Sequence, residues 1–120
     1  MQGTDFSTFR RRVIANIEAD LAREDEEAES LRAEVVPLVA ESVAAAREAG
    51  RCGKAWLFGS FAWGRPTERS DVDLLVTDCK SPDGLAAEVW RRVERPVHVV
   101  PLERAAASLV QRVLAEGQTL

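Results

Sequence analysis

Asp71 and Asp73 are the side chains with the clearest capacity for chemistry. They bracket Val72 at the start of a short apolar run, Val72 to Val76, that reads as a strand. Residues i and i+2 of a strand share a face, so both carboxylates point the same way, about 6–7 Å apart. Two like charges at the edge of an apolar sheet are costly unless something neutralises them. Mg²⁺ suits the task, because it takes oxygen ligands and usually keeps phosphate oxygens in its shell. A plainer use also fits the pair: Asp71 capping a turn after Ser70, with Asp73 facing water.

Ten residues separate Asp71 from Gly59-Ser60, at the end of another short apolar run, Ala55-Trp56-Leu57-Phe58. Glycine lets a backbone approach a ligand closely, and a helix N-terminus presents free N–H groups to an anion. The Ser60 hydroxyl adds a contact for a phosphate oxygen. A Gly-Ser pair alone is most often a turn or a cap. The two signals together describe one site, with a triphosphate tail held at Gly59 and Ser60 and its metals at Asp71 and Asp73. Such a site needs no covalent intermediate, because metal ions neutralise the phosphates and align an in-line attack.

The elements that must position these residues follow from periodicity. Phe6, Phe9, Val13, Ile17 and Leu21 recur at three- and four-residue steps, which predicts an amphipathic helix capped by Thr4 or Asp5. The acidic stretch Glu24-Asp25-Glu26-Glu27, with Glu29, reads as a solvated helix face or connector. A second helix is expected from about Ser30 to Ala49, with Leu31, Val35, Leu38, Val39 and Val43 on its apolar face. Pro37 should kink or restart it, and Gly50 should cap it. After the strand at Ala55–Phe58 come a short helix and the strand at Val72–Val76. Ser81 to Gly84 reads as a turn, Leu85 to Val93 as a helix, Pro96 to Val100 as a third strand and Pro101 to Ala115 as a final helix. Residues 1–29 thus form an N-terminal helix with an acidic connector, and residues 30–120 a small α/β domain.

Bulk properties bound the function. The chain has 120 residues, enough for one domain. No window approaches the roughly 18 apolar residues a membrane span needs, and the N-terminus lacks a signal-peptide plan. The net charge is −4 with no basic run, which argues against general nucleic-acid binding. Any polyanion should be small and presented through metal ions. Cys52 and Cys79 make neither a disulfide framework nor a metal-knuckle spacing, so the chain reads as reduced and cytoplasmic.

The block from Leu57 to Val76, with Gly-Ser, ten residues, then Asp-Val-Asp-Leu, resembles the signature of the polymerase β-like nucleotidyltransferases. The short length resembles their minimal (MNT or MntA-like) branch, with the likeness covering roughly Leu31 to Leu120. The resemblance implies a mixed sheet flanked by helices, to which this chain adds an extra N-terminal helix. It implies Gly59 and Ser60 on the triphosphate of ATP and Asp71 and Asp73 on two Mg²⁺ ions. It also implies an α-helical HEPN protein as partner, the toxin of a toxin–antitoxin pair, whose hydroxyl receives AMP.

The chain departs from that pattern twice. Trp63 stands where the family usually carries arginine, and Arg65, two residues later, is the candidate substitute as a phosphate or carboxylate partner. Trp63 itself is a candidate for base stacking or, more commonly, for burial. Active relatives carry a third carboxylate on the next strand, and the expected strand has His98, the only histidine, at that place. A neutral imidazole can accept a proton, yet it is a poor ligand for Mg²⁺. Two functions follow: a transferase weakened at His98, or an antitoxin with a degenerate site that neutralises its partner by contact. The N-terminal helix is expected to supply a contact surface, to self-associate, or to pack on its own core. Transfer to a small drug fits the motif but leaves no chain for a substrate domain.

Overall fold

The computed structural model describes residues 6–120. The expected caps Thr4 and Asp5 lie outside the described residues. In chain order the elements are α1 (Phe6–Glu48), β1 (Ala55–Phe58), α2 (Ser60–Trp63), β2 (Val72–Val76), α3 (Pro82–Val93) and β3 (Val97–Pro101). A single 3₁₀ turn (Leu102–Arg104), α4 (Ala107–Glu116) and a two-residue strand β4 (Gln118–Thr119) follow.

The two N-terminal helices expected from the sequence are one helix, and the acidic connector is part of it. No glycine or proline interrupts residues 6–36, and Glu, Ala, Leu and Arg are good helix formers. Local partners offset the acidic repulsion: Arg23 pairs with Asp20, and Arg65 reaches Asp25 at 3.0 Å and Glu24 at 3.7 Å. The helix also continues through Pro37 without a restart. Pro37 and Ala33, whose carbonyl loses its donor there, are both exposed, which leaves the freed oxygen open to solvent. Gly50 ends the helix region in the left-handed conformation, φ 70°, with Arg51 N–H donating to Ala46 at 2.8 Å.

The sheet runs β3-β2-β1-β4. β1 is antiparallel to β2 and β4, while β2 and β3 are parallel and joined by the crossover helix α3. One face of the sheet, carrying Ala55, Leu57, Val72, Leu74 and Val76, packs on Val35, Val39 and Val43 of α1 and Leu85, Val89 and Val93 of α3. Each such fully buried side chain contributes about 1.5–3 kcal/mol. Strand alternation therefore turns Asp71, Asp73 and His98 to the opposite face.

Three boundaries differ from expectation. Ser81 to Gly84 is a helix start rather than a turn: Ser81 Oγ accepts the Gly84 N–H at 3.0 Å, and Pro82 occupies the first position of α3. Pro101 closes β3 instead of opening the last helix, which begins at Ala107. β4 was not foreseen, because two residues carry no periodicity; its pairing of Leu57 with Gln118 exists only in three dimensions.

Among the described residues, no helix is long and apolar enough to cross a membrane. The molecule is extended, 76 × 30 × 18 Å, because only the C-terminal half of α1 packs. Every residue from Phe6 to Glu27 is exposed, including Phe6, Phe9, Val13, Ile14, Ile17 and Leu21. The expected packing of this stripe on the domain's own core does not occur. Its residues precede the segment that reaches the sheet.

Candidate active site

β2 carries Asp73 and is preceded directly by Asp71. Asp73 lies opposite Phe58 of β1 and in parallel register with His98 of β3. His98 Nδ1 stands 3.3 Å from Asp73 Oδ1, and Nε2 stands 3.9 Å from Asp71 Oδ2. The two carboxylates and the imidazole therefore share one face at the start of β2. Asp73 is the most enclosed of the three, its side chain 24% exposed against 39% for Asp71 and 62% for His98. Burial pushes the Asp73 carboxyl above the usual carboxylate range; His98 opposes the shift and Asp71 adds to it.

Gly59 forms the other wall. Its backbone is left-handed, φ 74°, and a Cβ built there would fall 2.4 Å from Asp73 Oδ2. Only glycine permits both the bend and the contact. The Gly59 carbonyl accepts from the N–H groups of Ala62 and Trp63, each at 3.0 Å, and so starts α2. The N–H groups of Ser60 and Phe61 open this helix and have no acceptor within it. Gly59 therefore stands against Asp73, with Ser60 next in the chain at the start of α2.

Arg65 is held elsewhere. It pairs with Asp25 and Glu24 of α1, so it serves as a carboxylate partner on the helix side. Trp63 is half-buried. Its ring centroid lies 6.0 Å from Phe58, and the Arg112 guanidinium sits 4.1 Å above it. Glu94 ends α3 in the left-handed conformation, and Glu103 accepts the Asp78 N–H at 3.4 Å, at the far end of β2.

Two residues missed in the sequence hold the site in place. Arg95 donates to the carbonyls of Thr67 and Ser70, at 3.1 and 3.2 Å, and its guanidinium lies 5.2 Å from the Phe61 ring centre. It thereby fixes the 67–70 turn that delivers Asp71. The same turn is closed by Ser70 N–H to Thr67 carbonyl at 3.0 Å, and Val72 N–H donates to Pro96 at 2.9 Å. Arg32 of α1 donates to the Gly64 carbonyl at the end of α2. Neither arginine belongs to a spaced motif; an arginine beside Pro96 at a strand start was the one available signal.

The Asp71–Asp73 pair fits a divalent cation, because burial and mutual repulsion leave carboxylate charge only partly compensated by His98. Among the described residues, no group of three or more His, Cys, Asp or Glu side chains is arranged as a metal cage. A Mg²⁺ ion at the pair would take its remaining ligands from phosphate and water, which is its usual habit. A cavity of about 660 Å³ has Glu26, Glu27, Glu34 and Glu68 in its walls and none of the site residues. Its charge is wrong for a polyphosphate, so the carboxylate pair defines the site.

A glycine-serine turn thus adjoins the strand that carries Asp73, with Asp71 directly before that strand. The sequence model described as "Polymerase beta, Nucleotidyltransferase" matches residues 44–120, and the chain belongs to that family. Solved structures of toxin–antitoxin complexes share the fold. One chain of a toxin–antitoxin crystallised with AMP-PNP is 22% identical with TM-score 0.53, covering 73% of this chain and 70% of that one. A chain of a mutant MntA–HpeT toxin–antitoxin is 27% identical with TM-score 0.54, covering 67% and 68%. A comparison with curated proteins found no match.

Proposed function

We propose that this chain is a Mg²⁺-dependent nucleotidyltransferase that transfers AMP from ATP to a hydroxyl of a HEPN-type helical partner, as the antitoxin of that partner. The observation that carries this reading is the convergence of Asp71, Asp73 and Gly59 at one point of the sheet. The 27% identical MntA–HpeT relative supports a toxin–antitoxin setting, and the cytoplasmic location rests on the sequence alone. The adenine nucleotide rests on the family resemblance.

Asp71 and Asp73 would hold the metal ions, and the backbone at Gly59 with Ser60 would receive the triphosphate tail. When bound, Mg²⁺ would neutralise the phosphates and align the attacking hydroxyl. His98, on the exposed edge strand, would stand next to the incoming hydroxyl and accept its proton only weakly in place of a third carboxylate. Arg65 would reach a phosphate only by releasing Asp25 and Glu24. Slow transfer is the expected outcome.

A second reading has a specific observation behind it. The exposed stripe Phe6, Phe9, Val13, Ile17 and Leu21 is an unpacked apolar helix face, and such faces mark binding surfaces. In this reading the chain neutralises a helical partner by contact, with a degenerate transferase site. Incubating both proteins with labelled ATP and Mg²⁺, followed by intact mass of each chain, decides between them. An AMP adduct on the partner establishes transfer. Neutralisation without an adduct, retained by an Asp71→Ala, Asp73→Ala double variant, favours the binding antitoxin.

A further inference from the structure

Cys52 and Cys79 are distant in sequence and adjacent in the fold. They lie just past the β1–β2 pairing that ends at Ala55 and Val76, where the left-handed Asp78 (φ 49°) interrupts the ladder, and Cys79 neighbours the Cys52 thiol there. Backbone bonds bracket the pair: Gly53 N–H to Thr77 carbonyl at 2.9 Å on one side, Lys80 N–H to Arg51 carbonyl at 3.0 Å on the other. The two side chains come within hydrogen-bonding reach of one another, the proximity that a disulfide requires. Both side chains line one small cavity of about 50 Å³, together with Ala46, Leu85, Arg51 and Lys80. Both cysteines are reduced.

We propose that Cys52 and Cys79 are a dithiol site that a hydroperoxide converts reversibly into an intrachain disulfide. The two thiols are unequal. Cys52 is buried, and burial first, then the neighbouring Cys79, pushes its thiol up and disfavours its thiolate. Cys79 is partly exposed and meets solvent beside Lys80. Cys79 is therefore the sulfur that attacks the peroxide. Its thiolate takes one oxygen, the O–O bond breaks, and the other oxygen leaves as water, or as alcohol from an alkyl hydroperoxide. The Cys52 sulfur then attacks the Cys79 sulfenic acid; the hydroxyl departs with the Cys52 proton as water, and the S–S bond forms. Two thiols lose two electrons in all, and the peroxide gains them. The cavity is large enough for a molecule of hydrogen peroxide's size.

The bridge closes the loop of residues 53–78, which contains Gly59, Ser60, Asp71 and Asp73. Cross-linking such a loop restricts the unfolded chain, so oxidation should stabilise the segment that carries the site.

The test treats the full reduced chain with graded hydrogen peroxide, then alkylates under denaturing conditions and measures intact mass. The expected product has lost two hydrogens, takes no alkyl group at either cysteine, and regains both after dithiothreitol. Its melting temperature should rise by several degrees. In Cys52→Ser, Cys79 should instead become a sulfenic acid trapped by dimedone. The proposal is overturned if wild-type Cys79 gains one or more oxygens while Cys52 stays fully alkylatable at every dose. A Cys79–Cys79 linked dimer as the main product overturns it equally.

Discussion

The carboxylate of Asp73 occupies the space in which Gly59 would carry a side chain: a Cβ there would lie 2.4 Å from Oδ2. The bend after β1 and the strand β2 are thus fitted to one another. Gly59→Ala combines a left-handed strain with this clash and should cost about 1–3 kcal/mol of stability. It should also displace Asp73 and lower ATP affinity at least tenfold. Urea unfolding and calorimetry in Mg²⁺-ATP measure the two effects separately.

Asp73 should impose a pH dependence on stability. Burial raises its carboxyl above the usual range, with His98 pulling it down and Asp71 up. The folded state therefore holds this proton more tightly than the unfolded chain. Its stabilising contribution is complete below the ordinary carboxylate pKa of about 3.9 and is lost as pH rises through the higher folded value. Wild-type stability should carry this falling component, and Asp73→Asn should remove it, as urea midpoints across that window would show. Near neutral pH, Mg²⁺ should stabilise the wild type by about 3 kcal/mol at a roughly hundredfold excess over Kd, and the variant far less.

His98 lies in register with Asp73 at the place where the resemblance expects a third carboxylate. His98→Asp should raise Mg²⁺-dependent AMP transfer tenfold or more, read as adduct formation per minute on the partner. A fall in rate would instead make the imidazole the working base.

Arg95 positions Asp71 through the carbonyls of Thr67 and Ser70. Arg95→Ala removes both bonds and the contact over Phe61, and should cost about 1–3 kcal/mol. Loss of the fixed turn should weaken Mg²⁺-ATP binding several-fold. Unchanged affinity in a folded Arg95→Ala protein would show that the turn holds itself.

Phe9 and Ile17 project from the unpacked half of α1. Phe9→Asp with Ile17→Asp should leave the melting temperature within a few degrees of wild type, since neither side chain is buried. The same variant should lose the helical partner in size-exclusion chromatography. Retained binding would move the contact surface to the α/β body.

Local signals made much of this protein legible from its sequence. The same-face placement of Asp71 and Asp73 follows from strand alternation, and β1, β2 and α3 from short-range apolar patterns. The Gly-Ser to Asp-x-Asp spacing was enough to associate Gly59 with Asp73, which the structure brings together. Long-range partners were not legible. The pairing of Arg65 with Asp25 and Glu24 along α1, and the placement of Asp71 by Arg95 reaching back across the chain, join residues far apart in sequence. The adjacency of Cys52 and Cys79, and that of His98 with Asp73, are matters of strand pairing and register. Register depends on which strands meet, and a one-residue slip reverses every side chain. Sequence therefore determined which residues the site uses, and tertiary structure decided which of them face one another.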